Sequence, residues 1–365
     1  MSARIDAFLQ LGREQGCSDI HLAVGCPPML RIMGEVTPIR YRELTEEELR
    51  GLVFEVLGDS QKKQIEAGHD VDFSYASENG DRYRFNVFRK TGGVGAVARV
   101  VPKSIPPIDQ LGLPPIVLEL AQANQGLLLV TGATGTGKST TLASIIDYLN
   151  ANQRLSIITL EDPVEYVHAS KSSLVIQREI GSSVGSFAEG LRAALREDPD
   201  VILVGELRDA ETIMMAITAA ETGHLVLGTL HTTSAAKTLD RIIDMLPADQ
   251  KAQGTMFLAQ SLRGVISQTL LPRPNRQGRK AVVEVLVMTP AVSNLLLNGK
   301  AVQIPLAMQT GKERGMQLMD QALLEAVQAK EIDPDAAYLQ ANDKKLLQRF
   351  VTDPKLLPQV NLVGR

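Results

Sequence analysis

No part of this chain restricts its fold as tightly as residues 127–141, LLLVTGATGTGKSTT. An apolar run gives way to glycines at 132, 135 and 137, and then to Leu142, Ile145, Ile146 and Leu149 at helical spacing. Strand, tight loop and helix, in that order, satisfy such a pattern. Glycines let the loop curl so that its backbone N–H groups converge, and the N-terminus of the next helix favours an anion at that point. Gly132, Ala133, Thr134, Gly135, Thr136, Gly137, Lys138 and Ser139 complete the G-x-x-x-x-G-K-[ST] phosphate cradle, with Thr140 directly behind it. Lys138 is placed to neutralise terminal phosphates and Ser139 to ligate Mg²⁺. The stretch therefore predicts binding of ATP or GTP.

The surrounding grammar predicts an α/β fold. Leu127–Thr131, Leu155–Leu160, Val201–Val204 and Leu225–Leu230 are near-continuous apolar runs, as expected of parallel strands covered on both faces. Helical segments lie between them: Ser186 and Glu189 form a capping-box pair, and the Met- and Ala-rich segment after Asp209 stops at Gly223. This reads as a doubly wound, RecA-like domain over residues 116–290. Residues 291–365 read as a helical C-terminal region, in which the Met and Leu stripe of MQLMDQALLEAVQAKEI is a packing face. Residues 1–101 are different. HLAVG, MLRIMGEV, DVDFSY, DRYRFNVF and GAVARVV have the alternating look of short strands, and Thr45 with Glu48 opens a charged surface helix. That predicts a small α+β domain. Between the two lies a linker over residues 102–115, whose five prolines predict an extended, stiff connection.

With 365 residues, two or three domains are expected. The net charge of −4 argues against a nucleic-acid partner. Two cysteines, Cys17 and Cys26, form no metal or disulfide pattern and fit a reducing compartment. Neither a signal-peptide core nor a bilayer-length apolar run is present, so the expectation is a cytoplasmic protein able to dock on a membrane complex.

Phosphoryl transfer also requires a magnesium-side carboxylate, a group that orients water, and positive charge. Two acidic strand exits qualify: Glu161, Asp162 and Glu165 in IITLEDPVEY, and Glu206 in DPDVILVGELRD. Both would lie where an open parallel sheet collects ligands. Any one of these carboxylates could instead cap a helix. In GHLVLGTLHT, His224 precedes a strand and His231 ends it. Each is either a phosphate contact or relay, or a satisfied core residue.

Together, GATGTGKSTT, EDPVEY, DPDVILVGELRD and TGHLVLGTLHT resemble, in order and spacing, the P-loop, Asp box, Walker B and His box of the secretion and type IV pilus ATPases. SDIHLAVGCPPMLRIMGEV, RYRFNVFRKTGGVGAVARVVP, SLRGVISQTLL and GMQLMDQAL resemble the retraction branch, the motors of twitching motility. The branch also fits the start of the chain at the SDIHL domain and the lack of a four-cysteine insertion. The resemblance implies a PAS-like first domain and ATP hydrolysis with Mg²⁺. It places Glu206, with Ser139, on the metal side and Glu165 at the attacking water. His224 and His231 fall on the His-box positions. Arg84 and Arg99 fall on first-domain arginines that reach the nucleotide; read alone, a basic pair two strands apart is surface charge. A homo-hexamer is implied, acting at the cytoplasmic face of the inner membrane on a pilus platform protein, with a paralogous pilus ATPase as a further partner. One departure stands out. The AIRNLIRE-like helix of retraction motors reads AVSNLLLN at residues 291–298, with its charges gone, which is also compatible with an accessory motor.

Overall fold

The computed structural model describes residues 3–32, 34–274 and 278–357. Two compact units divide between Ser104 and Ile105.

In the first unit, α1 (Asp6–Glu14), α2 (Glu46–Phe54) and α3 (Asp59–Glu66) accompany six strands, β1 (Asp19–Ala23), β2 (Met29–Ile32), β3 (Glu35–Pro38), β4 (Val71–Ala76), β5 (Arg82–Lys90) and β6 (Gly93–Val100). The sheet order is β3-β2-β1-β6-β5-β4, with every pairing antiparallel. MLRIMGEV, one segment in the sequence pattern, folds into two strands that turn at Gly34, whose φ of 92° suits glycine. Alternation does the rest. Tyr83, Phe85 and Val87 of β5 and Val94, Ala96 and Ala98 of β6 are buried with Ile5, Leu9, Leu49 and Val53 of the helical layer. Arg84 and Arg99 point the other way. They occupy adjacent strands, directly opposite each other, rather than two strands apart. Two like charges so placed repel. Asp19, opposite Arg99 on β1, relieves this by accepting its Nε–H at 2.8 Å. Thr45 caps α2 through the Glu48 N–H, but Glu48 gives its carboxylate to Arg42, so only half of the capping box forms.

The second unit opens with α4 (Pro115–Ala121). It continues as β7 (Gly126–Thr131), α5 (Lys138–Asn152), β8 (Ser156–Glu161), β9 (Leu174–Glu179), α6 (Phe187–Ala194), β10 (Val201–Val204), α7 (Ala210–Glu221), β11 (Leu225–Leu230), α8 (Ala235–Met245), α9 (Lys251–Ser261), β12 (Leu262–Pro272), β13 (Arg279–Val287), α10 (Pro290–Leu297), α11 (Ile304–Thr310), α12 (Met319–Gln328), α13 (Pro334–Gln340) and α14 (Lys344–Leu347). The sheet runs β13-β12-β7-β11-β10-β8-β9. All neighbours are parallel except the β12–β13 pair, so the sheet is mixed. The four apolar runs are its buried centre: every residue of β7, β10 and β11 is buried. The sequence pattern did not separate out three outer strands, β9, β12 and β13, which are partly polar.

Two expectations change in detail. The proline-rich stretch is not extended throughout. Residues Ile108–Leu111 form a 3-10 turn, and Ser144 of α5 donates to the Pro106 carbonyl at 2.7 Å, fastening this part to the second unit. The C-terminal helices are not a separate region either. Met319, Leu323, Val327 and Tyr338 share one core with Leu271 of β12 and Val282 of β13, and Gln317 bridges Val285.

Candidate functional site

The carboxyl ends of β7, β8, β10 and β11 lie side by side, because Thr131 pairs with Leu230, and Val204 with both Leu160 and Gly228. The loops leaving these four strands therefore meet at one edge of the sheet, where open parallel sheets bind ligands.

After β7 the loop turns through Gly132, Gly135 and Gly137, with φ of 144°, 81° and 89°. At Gly132 a Cβ would stand 2.3 Å from the Gln268 carbonyl oxygen, so only glycine fits beneath β12. Gln268 also fastens the loop by its side chain: its Nε2 donates to the Thr136 carbonyl at 2.7 Å and its Oε1 accepts from Thr141 at 2.8 Å. Sequence reasoning missed Gln268. Its signal is a buried amide within the polar Ser267–Thr269 stretch of β12. Ala133, Thr134 and Gly135 are exposed, Ser139 and Thr140 partly buried. Lys138 is buried, and its Nζ donates to the carbonyls of Gly132 at 2.8 Å and Ala133 at 3.0 Å. Burial pulls its ammonium below the usual lysine range, while Glu206 and Glu165 oppose that shift. Both carboxylates therefore act on Lys138.

His231, directly after β11, sits between the lysine and the acid. Its Nδ1 is 3.4 Å from Lys138 Nζ and its Nε2 is 3.3 Å from Glu206 Oε1. A neutral ring with its proton on Nε2 satisfies both contacts. Of its two sequence-level readings, the core residue is excluded: the side chain is 44% exposed. The other oxygen of Glu206 takes Arg208 Nη2 at 2.8 Å. Burial raises the Glu206 carboxyl, but Arg208 and His231 together outweigh it and hold the group below the ordinary carboxylate range. Arg208, also missed from the sequence, is 3.9 Å from Asp162 as well and so bridges the two acidic strand ends. Gly205 explains the break between strand and acid. A Cβ there would be 3.0 Å from the Leu160 carbonyl oxygen and 3.4 Å from Glu161 Cα.

The second acidic cluster divides by environment. Glu161 is consumed internally, accepting from Thr159 at 2.7 Å and Gln177 at 3.0 Å, and burial raises its carboxyl above the usual range. Glu165 is exposed. Tyr166 beside it reaches back to Thr140 on α5, oxygen to oxygen 2.9 Å. Asp200, at the opposite end of β10, accepts from the Ser156 N–H at 2.8 Å.

His224 does not join this site within the chain. It precedes Leu225, which pairs with Gly126 at the start of β7, so it lies at the amino edge of the sheet, about 20 Å of strand away. Its Nδ1 is 3.0 Å from the Ala219 carbonyl and its own carbonyl accepts from Gly126 at 2.9 Å. Arg84 and Arg99 belong to the first unit, where Arg99 is held by Asp19.

The residues at the edge fit a magnesium nucleotide. Among the described residues no group of three or more His, Cys, Asp or Glu could hold a metal. Mg²⁺ is commonly held by one or two protein groups with substrate phosphates and water, which is what Ser139 and Glu206 beside the cradle offer.

Comparison with known proteins agrees. Residues 93–340 match the family described as Type II/IV secretion system protein. The type IV pilus retraction ATPase PilT of Pseudomonas aeruginosa is 47% identical over 319 residues, 87% of this chain and 92% of the relative. PilU, a type IV pilus ATPase of the same organism, is 39% identical over 345 residues, covering 94% and 90%. A crystal structure of the pilus retraction motor PilT with bound ADP superposes with a TM-score of 0.87 at 44% identity, covering 93% of this chain and 98% of that one. The chain is an ATPase of the Type II/IV secretion system protein family and belongs to its branch of type IV pilus retraction ATPases.

Proposed function

We propose that this chain is a motor that hydrolyses ATP with Mg²⁺ to retract type IV pili in twitching motility. The observation that carries the reading is the convergence of Lys138, His231 and Glu206 at the carboxyl edge of the sheet, within 3.4 Å of one another along the chain of contacts. Lys138, with the loop N–H groups, neutralises the terminal phosphates. Ser139 and Glu206 hold the metal ion, which when bound supplies charge neutralisation across those phosphates. His231, touching both lysine and acid, senses the terminal phosphate. Glu165, exposed and unneeded by the fold, orients the attacking water and accepts its proton. We take the first unit to be PAS-like and Arg84 and Arg99 on it to supply positive charge for the reaction. We assign His224 no part in the chemistry within one chain.

Six copies form the working ring, whose repeated interfaces let one site sense another. The ring acts on a platform protein at the cytoplasmic face of the inner membrane. No helix among the described residues is long and apolar enough to cross a membrane. In this reading the ring reaches the membrane through partners, and the net charge of −4 argues against a nucleic-acid role. A second reading, an accessory motor working beside a paralogous pilus ATPase, is favoured by α10. Its AVSNLLLN segment buries Val292 and Leu296 and leaves Leu297 53% exposed, with no charge to pass between subunits. Purified Lys138→Ala is expected to lose ATP hydrolysis altogether. Full turnover in that variant would overturn the site.

A further inference from the structure

Glu165 is an exposed side chain on a loop, yet the proposed reaction needs it held to a fraction of an ångström. The loop is gripped from behind by one side chain, Gln177 of β9. Its Nε2 donates to Glu161 Oε1 at 3.0 Å and to the Tyr166 carbonyl at 2.8 Å, and its Oε1 accepts from the His168 N–H at 2.8 Å. These three points bracket Glu165 on both sides along the chain. Glu179, two residues along the same strand, takes the Val164 N–H at 3.1 Å. Tyr166 contacts Thr140 at the start of α5, which ties the loop to the phosphate cradle.

We infer that Gln177 is a positioning residue for the reaction, fixing the Glu161–His168 loop so that the Glu165 carboxylate stays in register with the phosphate cradle. The inference rests on the reading of Glu165 as the group that activates water. The hydrogen bonds of Gln177 go to Glu161, Tyr166 and His168 and none to residues 132–139, so it makes no direct hydrogen bond to the phosphate cradle. A functional group displaced by about 1 Å costs on the order of 10²-fold in rate. Gln177→Leu removes all three hydrogen bonds at similar volume. It is expected to lower kcat for ATP about 10- to 100-fold while KM and the affinity for a fluorescent ATP analogue change less than about 2-fold.

The test is a cycle of wild type, Gln177→Leu, Glu165→Gln and the double variant, each with kcat, KM and analogue affinity measured. If Gln177 acts through Glu165, the double variant turns over within about 2-fold of Glu165→Gln alone. Losses that multiply, or a Gln177→Leu enzyme with undiminished kcat, overturn the positioning role while leaving Glu165 in place. A Glu165→Gln enzyme of normal kcat overturns the reading of Glu165 itself. Gln177→Glu keeps the acceptor for His168 and loses both donors, so it runs through the same cycle should the leucine variant fail to fold.

Discussion

Glu284 of β13 is buried, and two helices begin on it. Its Oε1 accepts from the Ala235 N–H at 2.7 Å, at the start of α8, and its Oε2 from the Met319 N–H at 3.2 Å, at the start of α12. Helix N-termini expose unpaired N–H groups, and here one carboxylate satisfies one such group on each of two helices. Glu284→Ala strands both donors in a buried place. At about 1–3 kcal/mol per unsatisfied group, the loss is about 2–6 kcal/mol, a large share of the ~5–15 kcal/mol that holds typical domains folded. Glu284→Gln keeps one acceptor and turns its NH₂ toward the other donor, so about half of that loss is expected. The pH dependence has a defined sign. Burial raises the Glu284 carboxyl above its ordinary 4.5, and the two N–H donors only partly oppose this. A raised folded value means that this group's contribution is fully present below about 4.5 and is lost as pH rises through the folded value. Wild type minus Glu284→Gln should therefore lose stability across that window as pH rises. Urea denaturation from pH 4 to 8 measures it, with amide exchange at Ala235 and Met319 as the local readout. A Glu284→Ala protein within about 0.5 kcal/mol of wild type, with both amides still protected, would refute the double-cap argument.

The same logic applies at two further residues. Gly205→Ala puts a methyl 3.0 Å from the Leu160 carbonyl oxygen, backbone that cannot swing aside, and should cost about 1–3 kcal/mol in urea denaturation and lower ATP turnover by moving Glu206. His168 is buried, and burial depresses its ring to about 4, only partly opposed by Asp147. Its ring signals should not titrate in NMR between pH 5 and 8, and its contribution, present above about 6.5, should fade as pH falls toward 4. A midpoint near 6.5 would show that the ring is not buried in solution.

The fold was legible where one force dominates. Four apolar runs buried on both faces had no other place than the centre of a parallel sheet, and Val201–Val204 and Leu225–Leu230 are strands over those same residues. β9 was not legible, because Leu174 and Ile176 are exposed and the strand is identified by what pairs with it rather than by its own pattern. The same holds for the linker: Pro102 to Pro115 announce stiffness, but the 3-10 turn at Ile108–Leu111 depends on α5 being there to receive it.

The site divides along a similar line. The cradle is written contiguously, since glycine, lysine and serine act within eight residues. Glu206 was found by its position after a strand, even though Gly205 separates it from the apolar run. The residues that stayed hidden are those that hold others in place. Arg208 sets the charge of Glu206, Gln268 fixes the loop from the next strand, and Gln177 grips the segment around Glu165. Each is an ordinary polar residue whose neighbours in sequence say nothing of its partners. Two are amides on outer strands, contacting residues more than 10 positions away. Their role is set by register alone: Thr159 lies opposite Gln177, and Thr131 opposite Ser267 beside Gln268. A motif scan finds the groups proposed to meet the nucleotide, because their chemistry fixes their type. Groups that place them are fixed by geometry, and a different pair of strands could meet the same need with different residues. His224 is the converse case, a chemically capable side chain that the strand direction carries to the amino edge of the sheet.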